Sequence, residues 1–371
     1  VPAKLEIYPK PISFYQSPAY TGIRHVPVQM GYDLSKITIL GAGERETRRM
    51  RSQLTCERYS HIGRLAGEYV IMRWALLAID RDGTPIRINS APDEDWHHDS
   101  WLHQLEMYCA GEDFFREREE ILSKWDEMPV AENAYVLSEV HAARNYYHFT
   151  TGFLPKIRRS ANTPETVLCM PADYVQRPFH VDLLRRTCGH RVLSIYERYA
   201  RVRNPYVLQE PFSRDAAEWV RNVTGLKARP GNRRLFISRK STNVGREHGS
   251  LLETEAFTRM LGEWGFETVD FGTGDVPVEE QVRRLDGAGL VLSSHGANLT
   301  NCLYLPPETT LIELIPQHWK QPAYMQIAAL CDLRYFGIVC SVDDMFRIEI
   351  DVPLVRSAIA RALEMPLARA G

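Results

Sequence analysis

Apolar residues along this chain fall into short runs whose surroundings change character near residue 130. Residues 1–36 are rich in Pro and Tyr and read as an irregular arm. β-Branched runs follow at "KITIL" (36–40) and "EYVIMRWALLAI" (68–79), the second leading into the polar turn "DRDGTP" (80–85). The stretch 91–128 is charged and helix-prone. From there strand and helix patterns alternate: "AYVLSEV" (134–140), a helix over 145–160, "TVLCMP" (166–171), a helix over 172–187, and "RVLSIY" (191–196). A second series opens with a helix over 213–223 and the Gly- and Pro-marked loop "GLKARPGNR" (225–233). Strands then fall at 234–239, 266–270, 289–294, 310–315 and 334–340, with helices at 251–264, 277–285, 321–331 and 352–369. Such alternation predicts α/β architecture, a parallel sheet covered by helices, in each of two doubly wound domains. The boundary falls near 200–212.

Composition supports that division. A chain of 371 residues exceeds one ordinary core. Its apolar share of 44% and charged share of 25% are those of a globular protein. A net charge of −2 gives no overall field to gather nucleic acid or an anionic membrane. The basic run "KIRR" (156–159) reads as a solvated helix face. Seven cysteines are scattered and never spaced as CxxC, which predicts free thiols in a reducing compartment. "YVIMRWALLAI" (69–79) is too short to span a bilayer and is broken by Arg73. The first sixteen residues show no signal-peptide apolar core. The expected location is therefore cytoplasmic, with room for peripheral association at the inner face of a membrane or in an assembly complex.

Open α/β sheets bind ligands outside the carboxyl ends of their strands, and two such ends carry suitable chemistry. The strand at 289–294 runs into Ser294-His295-Gly296-Ala297-Asn298. Asn298 suits the cap of a short helix, and Gly296 suits close approach of a ligand to the backbone. A helix N-terminus favours an anion by only about 0.3–2 kcal/mol, so fixed cations should accompany it if a diphosphate is held. They stand in "RLFISRKSTNVGR" (234–246): Ser238 ends the strand, Arg239 and Lys240 follow, and Arg246 comes one loop later. Charge-assisted hydrogen bonds contribute roughly 1.5–3 kcal/mol each, enough together to hold a diphosphate without a metal ion. Taken singly, each of these residues reads as a surface cation or a turn histidine. Glu313, in "LIELIP", is an acceptor for ribose hydroxyls or a salt-bridged strand residue.

"RLFISRK", "LVLSSHGANLTNCLYLPPETTLIELIP" and "RNYYHFTTGFLPKI" (144–157) together resemble the signatures of glycosyltransferase family 61 over roughly 134–340. The His-Gly-Ala-x-x-x-Asn element, His295 to Asn301, is the most specific part. The resemblance implies the GT-B fold, two Rossmann-like domains facing across a cleft. Residues 1–205 would form the acceptor-side domain, 206–350 the donor-binding domain, and 351–371 a helix returning to the N-terminal domain. It implies an inverting glycosyltransferase that moves a sugar from a nucleotide-sugar donor, such as a UDP-sugar, to a carbohydrate or glycolipid acceptor. The family's bacterial members suggest a role in capsule or other surface polysaccharide synthesis. Arg239, Lys240, Arg246, His295, Gly296, Ala297, Asn298 and Asn301 would grip the donor diphosphate. Ser238 and Glu313 would meet the ribose or base.

Inverting transfer also needs a base on the acceptor oxygen, and here the chain departs from the family pattern. Relatives commonly carry an acid seven positions after the helix-opening Asn; counted from Asn145, that position is Gly152. Three readings stay open. His148 is the base, as an imidazole changes charge near neutral pH. Glu139 or His141, at the preceding strand end, serves instead. Or the chain is a non-catalytic carbohydrate-binding or assembly protein that has kept the fold. The cluster His97, His98, Asp99 and His103 matches no standard zinc spacing, and "GAGERE" (41–46) lacks the third glycine of a dinucleotide fingerprint, which argues against a nicotinamide-dependent dehydrogenase. No metal site is expected.

Overall fold

The computed structural model describes residues 12–13, 20–55, 58–72, 77–88, 111–137, 139, 141–161, 166–189, 191–239, 250–272, 276–318 and 322–364. The chain divides into two compact units. The first comprises residues 1–28, 59–176 and 188–211; the second comprises 29–58, 177–187 and 212–371.

The second unit is built on a six-stranded sheet in the order Phe266–Asp270, Arg233–Ser238, Ala288–Ser294, Thr310–Pro316, Arg334–Cys340, Ile37–Leu40. Every neighbouring pair is parallel. All seven residues of Thr310–Pro316 are buried, which is why this strand reads as an almost unbroken apolar run. Helices Glu255–Glu263, Val278–Arg284 and Ala323–Leu330 connect or flank these strands. Helix Arg214–Thr224 opens on Ser213, whose side chain accepts from the Ala216 N–H. It closes on Gly225 at φ 68°, a left-handed position that glycine adopts without a Cβ penalty. Phe236, Phe257, Leu292, Ile312, Phe336 and Ile338 form the centre of the core.

Two placements differ from expectation. The final helix, Val352–Glu364, lies within this unit: Val355, Ala358, Ile359 and Ala362 pack into the core around Phe336 and Ile338. Spaced i, i+3, i+4, i+7, they form one apolar stripe that the parallel sheet buries. The strand Ile37–Leu40 also belongs here, pairing with Arg334–Cys340 at the sheet edge, although it falls inside the stretch expected to form the first domain.

The first unit is less regular than the Rossmann-like domain expected. One of its sheets has four parallel strands in the order Leu193–Tyr196, Leu168–Pro171, Tyr135–Val136, Tyr206–Gln209. Arg58–Leu65 then adds antiparallel, followed by Tyr20–Val28. A second sheet is mainly antiparallel around Glu68–Met72, which pairs with Leu77–Ile79 and with Tyr199–Arg203. Its hairpin, Leu77–Ile79 to Pro85–Arg87, turns on "DRDG". There the Asp80 carboxylate accepts from the N–H groups of Asp82 and Thr84, at 3.1 and 2.7 Å. That local turn chemistry outweighs the crossover a doubly wound sheet would need.

Candidate functional site

In the second unit, the strand order of the stretch 233–340 is second, first, third, fourth, fifth in chain order. Arg233–Ser238 and Ala288–Ser294 are neighbours whose chain-order partners lie on opposite sides, which makes this the switch point of the sheet, the place beyond whose carboxyl ends α/β sheets receive ligands. Arg239 and His295 are the first residues past those two ends, and the Arg239 guanidinium donates through Nη1 to the His295 carbonyl oxygen. Burial pulls this guanidinium below its ordinary pKa. A Cβ on Gly296 would stand 2.5 Å from Nε and 2.6 Å from Nη1 of Arg239. Gly296 itself is extended, at φ 164°. Its lack of a side chain therefore accommodates the Arg239 guanidinium, where sequence reasoning had placed a ligand.

The His295 ring is held from beneath. Its Nδ1 lies 2.5 Å from Glu313 Oε1, and the Tyr335 hydroxyl donates to Glu313 Oε2 at 2.6 Å. The ring edge meets Tyr324, with centroids 5.0 Å apart. Burial drives the Tyr335 hydroxyl well above its usual pKa, so it serves as a neutral donor. Glu313 is 1% exposed with both oxygens engaged. Both oxygens thus face side chains of the same unit, where the strand-end position had suggested an acceptor for ribose hydroxyls. Ser238 is likewise buried.

The helix after His295 is a 3-10 helix, Ala297–Tyr304, capped by Gly296 without a side-chain bond. Asn298 therefore sits inside it, and its Nδ2, buried, has no hydrogen-bond partner among the described residues. Asn301 is fully buried and donates to Gln281 Oε1 at 2.8 Å and to the Asn298 carbonyl at 3.1 Å. It ties this helix to Val278–Arg284 rather than facing a diphosphate. Ala297 is half-buried. Lys240 and Arg246 lie outside the described residues, as do His97, His98, Asp99 and His103.

In the first unit, a helical segment begins at Asn145, whose side chain accepts from the N–H groups of Tyr147 and His148 at 2.9 and 3.4 Å. It runs as an α-turn (Tyr146–His148), a π-helix (Phe149–Phe153), then α-helix again (Leu154–Ser160). Pro155 accounts for the wider turn: it has no N–H, and its ring needs room from the carbonyl one turn back. π-Turns of this kind gather at functional sites.

Glu139 lies against that turn. A Cβ on Gly152 would stand 2.7 Å from Glu139 Cδ and 2.8 Å from Oε2, so the carboxylate occupies the space a side chain at 152 would take. Lys156, one turn further and 2% exposed, places Nζ 3.4 Å from Oε2. His148 Nδ1 is 3.7 Å from Oε1, and the His141 and His148 rings are 4.7 Å apart. The Tyr174 hydroxyl donates to the Glu139 carbonyl at 2.6 Å and accepts from its N–H at 3.0 Å, which fixes the backbone. Burial alone would raise the Glu139 carboxyl; Lys156 and then His148 outweigh it and hold the group down to about 2.

The structure thus brings Glu139, His141 and His148 together, and it brings Arg239 to His295. "KIRR" is not a solvated face: Lys156 is buried against Glu139, and Arg158 reaches buried Glu210 at 3.2 Å. Lys156, Tyr174, Tyr324 and Tyr335 escaped sequence reasoning. For Lys156 a signal existed, since it stands four residues after Gly152 on a mostly apolar helix face. The three tyrosines carried none.

A cationic, imidazole-bearing switch point in a parallel sheet, in a chain that also holds a carboxylate–imidazole cluster, is a setting for group transfer from an anionic donor. Residues 146–312 match the family model described as Glycosyltransferase 61. Over 117 residues the chain is 30% identical to an alpha-1,3-arabinosyltransferase of Oryza sativa subsp. japonica, covering 30% of this chain and 19% of the relative. It is 25% identical over 120 residues to a beta-1,2-xylosyltransferase of Arabidopsis thaliana (28% and 22%). It is 27% identical over 241 residues to a beta-1,2-xylosyltransferase of Oryza sativa subsp. japonica (54% and 41%). The matched stretches span less than half the length of each relative. Each is a similarity of part of this chain to glycosyltransferases. The family match contains His148, Gly152, Lys156, Arg239 and His295, whereas Glu139 and Glu313, the carboxylates beside the two histidines, fall just outside its ends.

Proposed function

We propose that the protein is an inverting GT-B glycosyltransferase that takes a sugar from a nucleoside-diphosphate donor and passes it to a carbohydrate hydroxyl. The observation that carries this reading is the Arg239 guanidinium bound to the His295 backbone at the switch point of the parallel sheet. A pyrophosphate placed there meets a fixed cation and an imidazole braced by Glu313. Two residues beyond Gly296, the buried Asn298 Nδ2 has no hydrogen-bond partner among the described residues. These groups stabilise the negative charge that grows on the departing diphosphate without being rearranged during the reaction.

Pentose donors such as UDP-xylose and UDP-arabinose are the first to test, because the relatives above are named for xylosyl and arabinosyl transfer. Metal independence and a cytoplasmic setting belong to the same proposal, as does a role in bacterial surface polysaccharide synthesis; the plant relatives do not bear on that last point. Thermal shift against UDP-sugars tests donor binding. With [L] at 100 times Kd, a ligand of the folded state stabilises it by about 2.7 kcal/mol. Arg239→Ala should weaken the shift for UDP-sugars at least tenfold in apparent affinity. An unchanged shift in that variant would sink the donor assignment. Turnover that survives EDTA would agree with metal independence, and turnover abolished by EDTA and restored by Mn²⁺ would overturn it.

A further inference from the structure

Neither chemistry nor spacing alone chooses between Glu139, His141 and His148 as the base, but their surroundings do. Glu139 sits against the π-turn at Gly152, where no side chain competes for its place. One oxygen is 3.4 Å from the buried Lys156 ammonium, and the other is 3.7 Å from His148 Nδ1. Its backbone N–H and C=O are both bound to the Tyr174 hydroxyl. A carboxylate gripped at both ends in this manner is a fixture, and a fixture beside an imidazole orients it.

Resting on the transferase reading above, we infer that His148 is the base of the reaction and that Lys156 is a positioning residue acting on it through Glu139. With Nδ1 turned towards Glu139, the opposite nitrogen Nε2 meets the acceptor. His148 and Glu139 keep 29% and 21% of their side chains exposed, whereas Lys156 keeps 2%, so acceptor reaches the imidazole and not the ammonium. In the step, the acceptor oxygen bonds to the anomeric carbon while that carbon's bond to the diphosphate oxygen breaks. The acceptor proton moves to Nε2, and the electron pair of the broken bond leaves on the diphosphate. Glu139 faces the cation that forms on the ring, the role an orienting carboxylate plays beside any imidazole base.

Lys156 explains why Glu139 is not itself the base. An ammonium held against a carboxylate favours the ionised form, and here the carboxyl is held down to about 2, too acidic to take a hydroxyl proton efficiently near neutral pH. The arrangement also accounts for Gly152: any larger residue would push Glu139 off both partners.

The test compares the full chain with Lys156→Met, Lys156→Arg and Glu139→Gln, measuring UDP release from UDP-xylose and UDP-arabinose between pH 5 and 9, with xylo-oligosaccharides or water as acceptor. Among the described residues, Lys156, His141, Tyr147 and Tyr174 face Glu139 or His148, and of these only Lys156 changes in the first two variants. Lys156→Met should lower kcat ten- to a hundredfold, leave the donor KM within about threefold, and move the acid limb to higher pH, because a positive charge has gone from beside Glu139. Lys156→Arg should recover part of kcat and return the limb towards its original position. Glu139→Gln, which keeps the shape, should lower kcat by a similar factor, so the assignment stays testable if Lys156→Met fails to fold. Full kcat with an unmoved limb in folded Lys156→Met, or full kcat in Glu139→Gln, overturns the inference while leaving the transferase reading intact. If the wild-type chain releases no UDP from any donor, the transferase reading fails and this inference falls with it.

Discussion

Two glycines in this chain matter for what stands in the place of their absent side chains. Gly296 leaves room for the Arg239 guanidinium and Gly152 for the Glu139 carboxylate. Gly296→Ala should therefore act on the donor site directly, forcing Arg239 off the His295 carbonyl. The expected result is at least tenfold weaker UDP binding by thermal shift, with a stability loss of about 1–3 kcal/mol from overpacking. Equal binding in that variant would mean that Arg239 has somewhere else to go. Tyr335→Phe removes the hydroxyl bound to Glu313 Oε2 and leaves a buried oxygen unpaired, at a cost of about 1–3 kcal/mol in denaturant unfolding. Both effects were invisible in the sequence. His295 and Arg239 stood out because they follow directly on strands whose pattern is plain, whereas Tyr335 lies within the strand "RYFGIVC" and reads as another core aromatic.

At the level of elements, strong periodicity translated well into structure. The parallel strands at 233–238, 266–270, 288–294, 310–316 and 334–340 lie where apolar runs alternate with helical ones. The π-turn at Phe149–Phe153 was not legible, because a five-residue change in winding depends on what Pro155 and the packed neighbours require. The last helix shows the same limit. Its apolar stripe at 355, 358, 359 and 362 was readable, but a stripe specifies that a face is buried and not which sheet buries it. Because that sheet is the parallel one, Ile359→Ala should destabilise the second unit by about 2–4 kcal/mol in denaturant unfolding. Deleting Val352–Glu364 should abolish the UDP-dependent thermal shift, since Phe336 and Ile338 would lose their cover. A deletion variant that still binds UDP would contradict this account.

Across the whole molecule, stability should depend on pH through carboxylates whose partners are fixed by folding. Glu139 falls from an ordinary 4.5 to about 2 in the folded chain. Its folded-state value is depressed, so the stability it contributes is fully present above 4.5 and is lost as pH falls from 4.5 through 2. The contribution at neutral pH is on the order of 3 kcal/mol. Glu68 is shifted in the same direction by hydrogen bonds from Arg203 and Arg201, and it adds to the trend. Acid titration of unfolding free energy should show a steepening slope below about pH 4.5, and Lys156→Met should flatten it, because the depression of Glu139 depends first on that ammonium. An identical slope in the variant would mean that Lys156 does not set the charge of Glu139.

By itself the sequence determined the class of fold in the second unit, the strand ends that carry Arg239 and His295, and the helix that begins at Asn145 and carries His148. These follow from local periodicity and from short motifs, which depend on residues close together in the chain. Tertiary structure alone decided that Ile37–Leu40 joins the sheet of residues 233–340, that Glu139 fills the space beside Gly152, and that Glu313 supports His295 from within the core. Each of those pairings joins residues 13 to roughly 300 positions apart. Its free energy comes from burial and charge compensation, which no local pattern encodes.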